Sequence, residues 1–369
     1  MNKVSKRQSN IELLRIISMI MVIAHHLSYR GGFEFDTNSI TINRLWTQFL
    51  MYGGHIGVAV FVLISGYFMI EQMNLRIERI ARIWLQMFFY SVLGYVVGVY
   101  VFGAQYSLPG IGYALTPFTM QIWGFASAYL VLSIIAPFYN ILLRQLSKNQ
   151  YRLFILVTCG LWLGFPTFTT RLAEGNYFIV LTVIYAIGGY IKLYPEDFSG
   201  TLKKYILLTI GFSTLNFLFT VIMDFISLFD SRFSNLATHF TGINHINIVL
   251  WAVLLFVTFL KINLKSSTLI NGVAGLVFGV YLLHDCYYMR EPIWNTIFND
   301  SKLSHSVFLI PITLLQIALI FVVCAVIELV RKYTIEIFIM KWINKLFIPL
   351  QKRVDLMMKV PDEQNKETK

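Results

Sequence analysis

The stretch IELLRIISMIMVIAHHLSYR, residues 11–30, is long and apolar enough to cross a bilayer, and similar stretches recur along most of the chain. A spanning helix needs about 20 largely apolar residues, because lipid offers its backbone no hydrogen-bond partners. With 57% hydrophobic and 13% charged residues over 369 positions, the composition excludes a soluble domain of this length. The apolar runs are continuous and do not alternate, which excludes a β-barrel. The expected fold class is all-α, a polytopic transmembrane helical bundle of about ten spans. The first run is too long for a signal-peptide core, and no small-residue cleavage site follows it. Cys159, Cys286 and Cys324 show neither disulfide nor metal spacing.

Spans are predicted near residues 11–30, 47–70, 83–103, 121–143, 153–168, 177–194, 205–224, 243–262, 267–287 and 306–330. Lysine and arginine concentrate in alternate gaps, including Arg76, Arg79 and Arg82, then Arg144, Lys148 and Arg152, then Lys261 and Lys265. The positive-inside rule then places both termini in the cytoplasm, for a multi-pass protein of the cell membrane. The formal charge of +11 follows from this orientation and does not call for nucleic acid. Residues 1–332 read as one transmembrane domain. Residues 333–369 read as an amphipathic, basic tail on the inner membrane surface, with a disordered end at PDEQNKETK.

Polar residues inside such spans are costly, roughly 2.5–3.5 kcal/mol for a charge at mid-bilayer, and by default mark a function. Arg15 and His26 are eleven residues apart in the first span. Eleven steps of about 100° return to within about 20° of the start and rise roughly 16 Å, so both lie on one stripe. His25 points about 80° away from Arg15. Arg79 and Arg82 share a face where the second span hands over to the third. With Arg15 they suit a phosphate-bearing cytosolic ligand, since guanidinium grips phosphate oxygens bidentately. Plain positive-inside anchoring also accounts for them. His26, His55, His245 and His284 sort to the outer half, where one of them suits general-base work. Asp285 stands beside His284, where it could orient or charge the ring. Gly54 and Gly57 in GGHIG allow a close helix pair, and Pro137 predicts a kink in the fourth span. Cytosolic cations below outward imidazoles fit a group transfer across the membrane, and they fit a transporter equally.

Several blocks resemble the integral-membrane acyltransferase 3 family, which includes O-acetyltransferases of bacterial surface polysaccharides. Arg15 to His26 resembles its arginine, ten residues, histidine signature. GHIGVAVFVLISGYF resembles its second-helix pattern, RIARI its Arg-x-x-Arg element, and AYLVLSIIAPFYN, YAIGGYIKLY and FGVYLLHD its later blocks. The blocks run in family order from about residue 8 to 292. The resemblance implies His26 as the catalytic histidine and Arg15, Arg79 and Arg82 as contacts of the donor's phosphates. It implies acetyl-CoA as donor substrate, no metal or resident cofactor, and a hydroxyl of a surface or exopolysaccharide sugar, or of its lipid-linked precursor, as acceptor. His55, His284 and Asp285 stand as secondary candidates. The rival class is a transporter or flippase of polyprenyl-linked sugars, for which neither inverted repeats nor a wide polar cavity is apparent.

Overall fold

The computed structural model describes residues 7–36, 38–169, 177–233 and 236–358. The segment 361–369, expected to be disordered, lies outside them. Among the described residues the chain is helical with connecting turns and no strand. Helix α1 is Ser9–Arg30, α2 Ile42–Met69, α3 Ile77–Tyr100, α4 Leu108–Leu115 and α5 Gly124–Gln145. Helix α6, Lys148–Cys159, passes through a π-helical turn, Gly160–Gly164, into α7, Phe165–Phe168. Then come α8 Tyr177–Leu193, α9 Leu202–Ser227, α10 Leu236–His239, α11 Ile246–Lys261, α12 Thr268–Ala274, α13 Val277–His284, α14 Tyr287–Glu291, α15 Leu309–Arg331 and α16 Ile337–Met357.

Among the described residues, seven helices are long and apolar enough to cross a membrane, or eight if a bent pair counts as one span. Helices α8 and α11 occupy two further expected spans but have only 17 and 16 residues. A 16-residue helix reaches about 24 Å, short of the roughly 30 Å hydrocarbon core. Helix α9 is the opposite case. Its apolar window is only 6% buried, and Leu207, Ile210, Leu215 and Phe225 are exposed, as a lipid-facing helix requires. It is tied to the bundle by Arg44, whose guanidinium donates to the fully buried Asp224 at 2.6 Å, with Gln48 donating at 3.1 Å.

The sequence pattern explains the tight centre. A Cβ at Gly54 would lie 2.3 Å from His25 Cγ, and one at Gly57 2.6 Å from the Ser18 carbonyl. Glycine at these positions lets α2 touch the backbone of α1, which fixes where the polar residues of α1 sit. Helix α5 continues through Pro137, where a kink was expected. Its Asn140 donates to the Met69 and Gln72 carbonyls at 2.6 and 2.8 Å, satisfying the end of α2.

Two features shape the ends of the bundle. The ninth span ends near His284, within its expected bounds, and the chain then bends by 77° into a second helical segment, Tyr287–Ile297, that the sequence reading did not place. Arg290 thereby folds back onto Asp285. The tail continues from the last span. A π-helical turn, Lys332–Glu336, carries α15 straight into α16. Gln351 of α16 accepts from Ile77 N at 2.9 Å and donates to Leu75 O at 2.8 Å, docking the tail on the turn before α3. At the same end Glu328, 2% exposed, accepts from Gln86, Tyr90 and Arg331, and a Cβ on Gly279 would lie 2.3 Å from its carboxyl carbon.

Candidate active site

At the end of the bundle where α1 and α3 begin, a cavity of about 340 Å³ is lined by Arg15, Arg79, Arg82, Gln86, Tyr129 and Tyr281. Arg15 thus meets Arg79 and Arg82, 64 and 67 residues away in sequence, in one space. They are not equivalent. Arg15 pairs with Glu12 at 3.3 Å, one turn back on its own helix. Arg82, half exposed, pairs with Glu78 at 2.9 Å and with Glu336 at 3.5 Å. Arg79 donates to the Tyr129 hydroxyl at 2.9 Å, and among the described residues no carboxylate forms an ion pair with it. The Tyr129 hydroxyl is also 3.1 Å from Ser65 Oγ, so it is fixed from two sides. This cavity has spare positive charge at the point where a phosphate could replace the missing carboxylate.

Met19 and Tyr281 also line the cavity. One helical turn beyond Tyr281 on α13 stands His284, its ring centroid 6.2 Å away. His284 faces His26 of α1, with His26 Nδ1 2.9 Å from His284 Nε2. The tautomers follow from the partners. His284 Nδ1 lies 2.7 Å from the Val280 carbonyl, which can only accept, so Nδ1 carries a proton. In the neutral ring Nε2 is then an acceptor, and His26 must donate to it from Nδ1. His26 Nε2 is left with its lone pair, the form a base or nucleophile needs. Asp285 Oδ1 is 3.9 Å from His26 Nδ1, close enough to stabilise positive charge developing on that ring.

From the sequence, Asp285 could orient or charge His284. In the structure the Val280 carbonyl orients the His284 ring, and Asp285 Oδ1 lies 3.9 Å from His26 Nδ1. His55 lies elsewhere: its Nδ1 donates to the Thr241 carbonyl at 2.8 Å, and its ring is against His25, not His26. His25 donates to the Met51 carbonyl at 2.6 Å. The two adjacent histidines thus have different partners: His25 the Met51 carbonyl and the His55 ring, His26 the His284 ring and Asp285. Tyr129 as partner of Arg79, and Arg30 and Arg290 around Asp285, were not assigned these places from sequence. Arg30 had a signal available, since it follows His26 by four residues and so shares its face. Arg290 had none, because the bend that returns it to Asp285 has no periodic signature. Among the described residues no group of three or more His, Cys, Asp or Glu side chains is placed to hold a metal ion.

This geometry meets a sequence comparison that covers nearly all of it. The model of the acyltransferase 3 family, described as an acyltransferase domain, matches residues 8–329. The chain belongs to that family. The match takes in α1 through most of α15, and hence the arginine cavity and the histidine pair of this membrane acyltransferase. No curated protein and no solved structure matches the acyltransferase.

Proposed function

We propose that the protein is an O-acetyltransferase of the cell membrane, which moves an acetyl group from cytosolic acetyl-CoA to a hydroxyl of a surface or exopolysaccharide sugar or its lipid-linked precursor. The observation that carries this reading is the convergence of Arg15, Arg79 and Arg82 on one cavity that is also lined by Tyr281, a helical turn from His284 of the His26–His284 pair. In this reading the cavity end is cytoplasmic, both termini lie on that side, and the arginines hold the donor's phosphates. The roughly 16 Å of helix rise between Arg15 and His26 is bridged by the donor's thin, extended arm. His26 Nε2 takes the proton of the acceptor hydroxyl as its oxygen attacks the thioester carbonyl. The carbonyl carbon to sulfur bond then breaks, and the proton passes to the departing thiolate. His284 keeps His26 in the required tautomer, and Asp285 offsets the charge of the transient imidazolium.

The test uses membranes containing the protein, incubated with acetyl-CoA labelled in the acetyl group. Label recovered on glycan or on its lipid-linked precursor is the expected result. A transporter or flippase would move sugar and leave it unlabelled. A reporter fused after Lys369 should behave as cytoplasmic, and labelling of that end from outside the cell would overturn the orientation.

A further inference from the structure

Above the His26–His284 pair, on the side away from the cavity, two guanidiniums share one carboxylate. Asp285, with its side chain 6% exposed, accepts from Arg30 Nη1 at 2.8 Å, from Arg290 Nε at 3.0 Å and from Arg290 Nη2 at 3.2 Å. Among the described residues neither arginine forms a second ion pair, so the cluster carries one positive charge in excess. Each guanidinium has five N–H donors. Arg30 directs one of them to Asp285 and Arg290 two, and both side chains keep accessible surface, 23% and 30%. An uncompensated cation inside a membrane bundle is costly. A clamp needing only to hold Asp285 beside His26 would be neutral with one arginine. The second comes from α14 and reaches Asp285 only because the helix bends by 77°.

We infer that Arg30 and Arg290 bind an anionic group, a carboxylate or a phosphate, carried by the acceptor on or next to the sugar whose hydroxyl is acylated. This rests on the acyl-transfer reading and names the acceptor's chemical class within it. The position fits. Arg30 stands one turn from His26 on the same face, so an oxyanion held by the two arginines brings a neighbouring hydroxyl to the His26 ring. Carboxylates of acidic sugars and phosphates linking a sugar to a lipid carrier share this chemistry and are separated by the experiment.

The experiment takes the cell's own glycan and its lipid-linked precursor, both stripped of acetyl groups by mild base. Each is offered in three forms: untreated, with its carboxyls reduced to alcohols, and with its phosphate esters removed. Acetyl transfer from labelled acetyl-CoA is measured for the wild-type, Arg290→Gln and Arg290→Lys proteins in lipid nanodiscs. The wild type should prefer the untreated form by about ten- to hundredfold in kcat/KM over one of the two neutralised forms, as charge-assisted hydrogen bonds predict. The form that loses activity tells carboxylate from phosphate. In Arg290→Gln the ratio should collapse toward one, and Arg290→Lys should recover part of it. A residue that merely clamps Asp285 would lower all forms alike and leave the ratio intact. Equal transfer to all three forms by the wild type, or a preference that Arg290→Gln leaves unchanged, overturns the inference. An absence of label on every form instead overturns acyl transfer itself, so the two failures are distinct.

Discussion

The two ends of the candidate site both use arginine, in opposite ways. In the cavity, Arg15 and Arg82 are paired with carboxylates, and Arg79 among the described residues donates to a tyrosine hydroxyl and forms no ion pair. At the histidine end, Arg30 and Arg290 close on one carboxylate, and the rings are linked in line through His284 to a backbone carbonyl. The first arrangement leaves charge unsatisfied and suits a ligand that arrives with its own anions. The second fixes one imidazole in one tautomer and suits chemistry that depends on a single lone pair. In the proposed function, binding and reaction therefore fall at different depths: the cavity takes Arg15 from α1 and Arg79 and Arg82 from α3, and the histidine end takes His26 from α1 and His284 from α13.

This contrast predicts which substitutions alter rate and which alter affinity. Apart from His26 itself, the largest effect should come from His284→Phe, which orphans the buried His26 Nδ1–H at a cost of about 1–3 kcal/mol and frees the tautomer. Steady-state kinetics should show kcat lowered about ten- to hundredfold with the donor KM little changed. His284→Gln, whose amide oxygen can accept, should retain more activity. A raised donor KM with normal kcat would erase the division between the ends. Arg79→Ala should do the reverse, weakening apparent donor affinity about ten- to hundredfold at similar kcat, with Lys a partial substitute because it lacks the planar fork. Arg82→Ala should cost less, since Arg82 is half exposed and already paired with Glu78. Equal losses at Arg79 and Arg82 would show that the unpaired state of Arg79 has no consequence.

Two smaller effects test the scaffold. Gly54→Ala puts a Cβ 2.3 Å from the His25 ring and should cost roughly 1–3 kcal/mol as overpacking, read as a lower thermal midpoint in detergent. Wild-type stability in that variant would mean α1 and α2 can separate freely. Smallest should be Asp197→Asn, in the turn before α9. Hydrogen bonds from Lys148, Tyr190 and Arg152 hold the Asp197 carboxyl below the usual range. A depressed carboxyl contributes above its unfolded value of about 3.9, and the contribution is lost as pH falls toward the folded value. The variant's deficit in thermal midpoint should therefore be present at neutral pH and narrow below about pH 4. A deficit independent of pH would assign Asp197 a role other than its charge.

Much of this was legible in the sequence, for physical reasons. Apolar runs in lipid have one way to satisfy their backbones, so fold class and most helix positions followed from hydropathy. The eleven-residue spacing of Arg15 and His26 fixed their common stripe because α1 is a regular helix. The breakdowns occur where regularity does. The bend after His284 was not placed from the sequence, and beside it Cys286 packs on Gly94, with its Sγ 2.4 Å from where a Gly94 Cβ would be. That contact lies 192 residues away in sequence and leaves no local trace. With the bend unseen, Arg290 and the direction of Asp285 were out of reach. The partner of Arg79 was hidden likewise, since Tyr129 reaches it from another helix.

The central claim is that His26, not the imidazole beside it, works with the arginine cavity. It is tested most directly by acetyl transfer to glycan in membranes containing His26→Ala or His25→Ala, normalised to protein amount. Loss of a general base should lower transfer about 10²–10⁴-fold in His26→Ala while the protein still accumulates. His25→Ala removes a hydrogen bond to the Met51 carbonyl and a ring lying against Gly54, so it should lower protein level more than specific activity. An active His26→Ala enzyme beside an inactive but well-folded His25→Ala one would contradict the account.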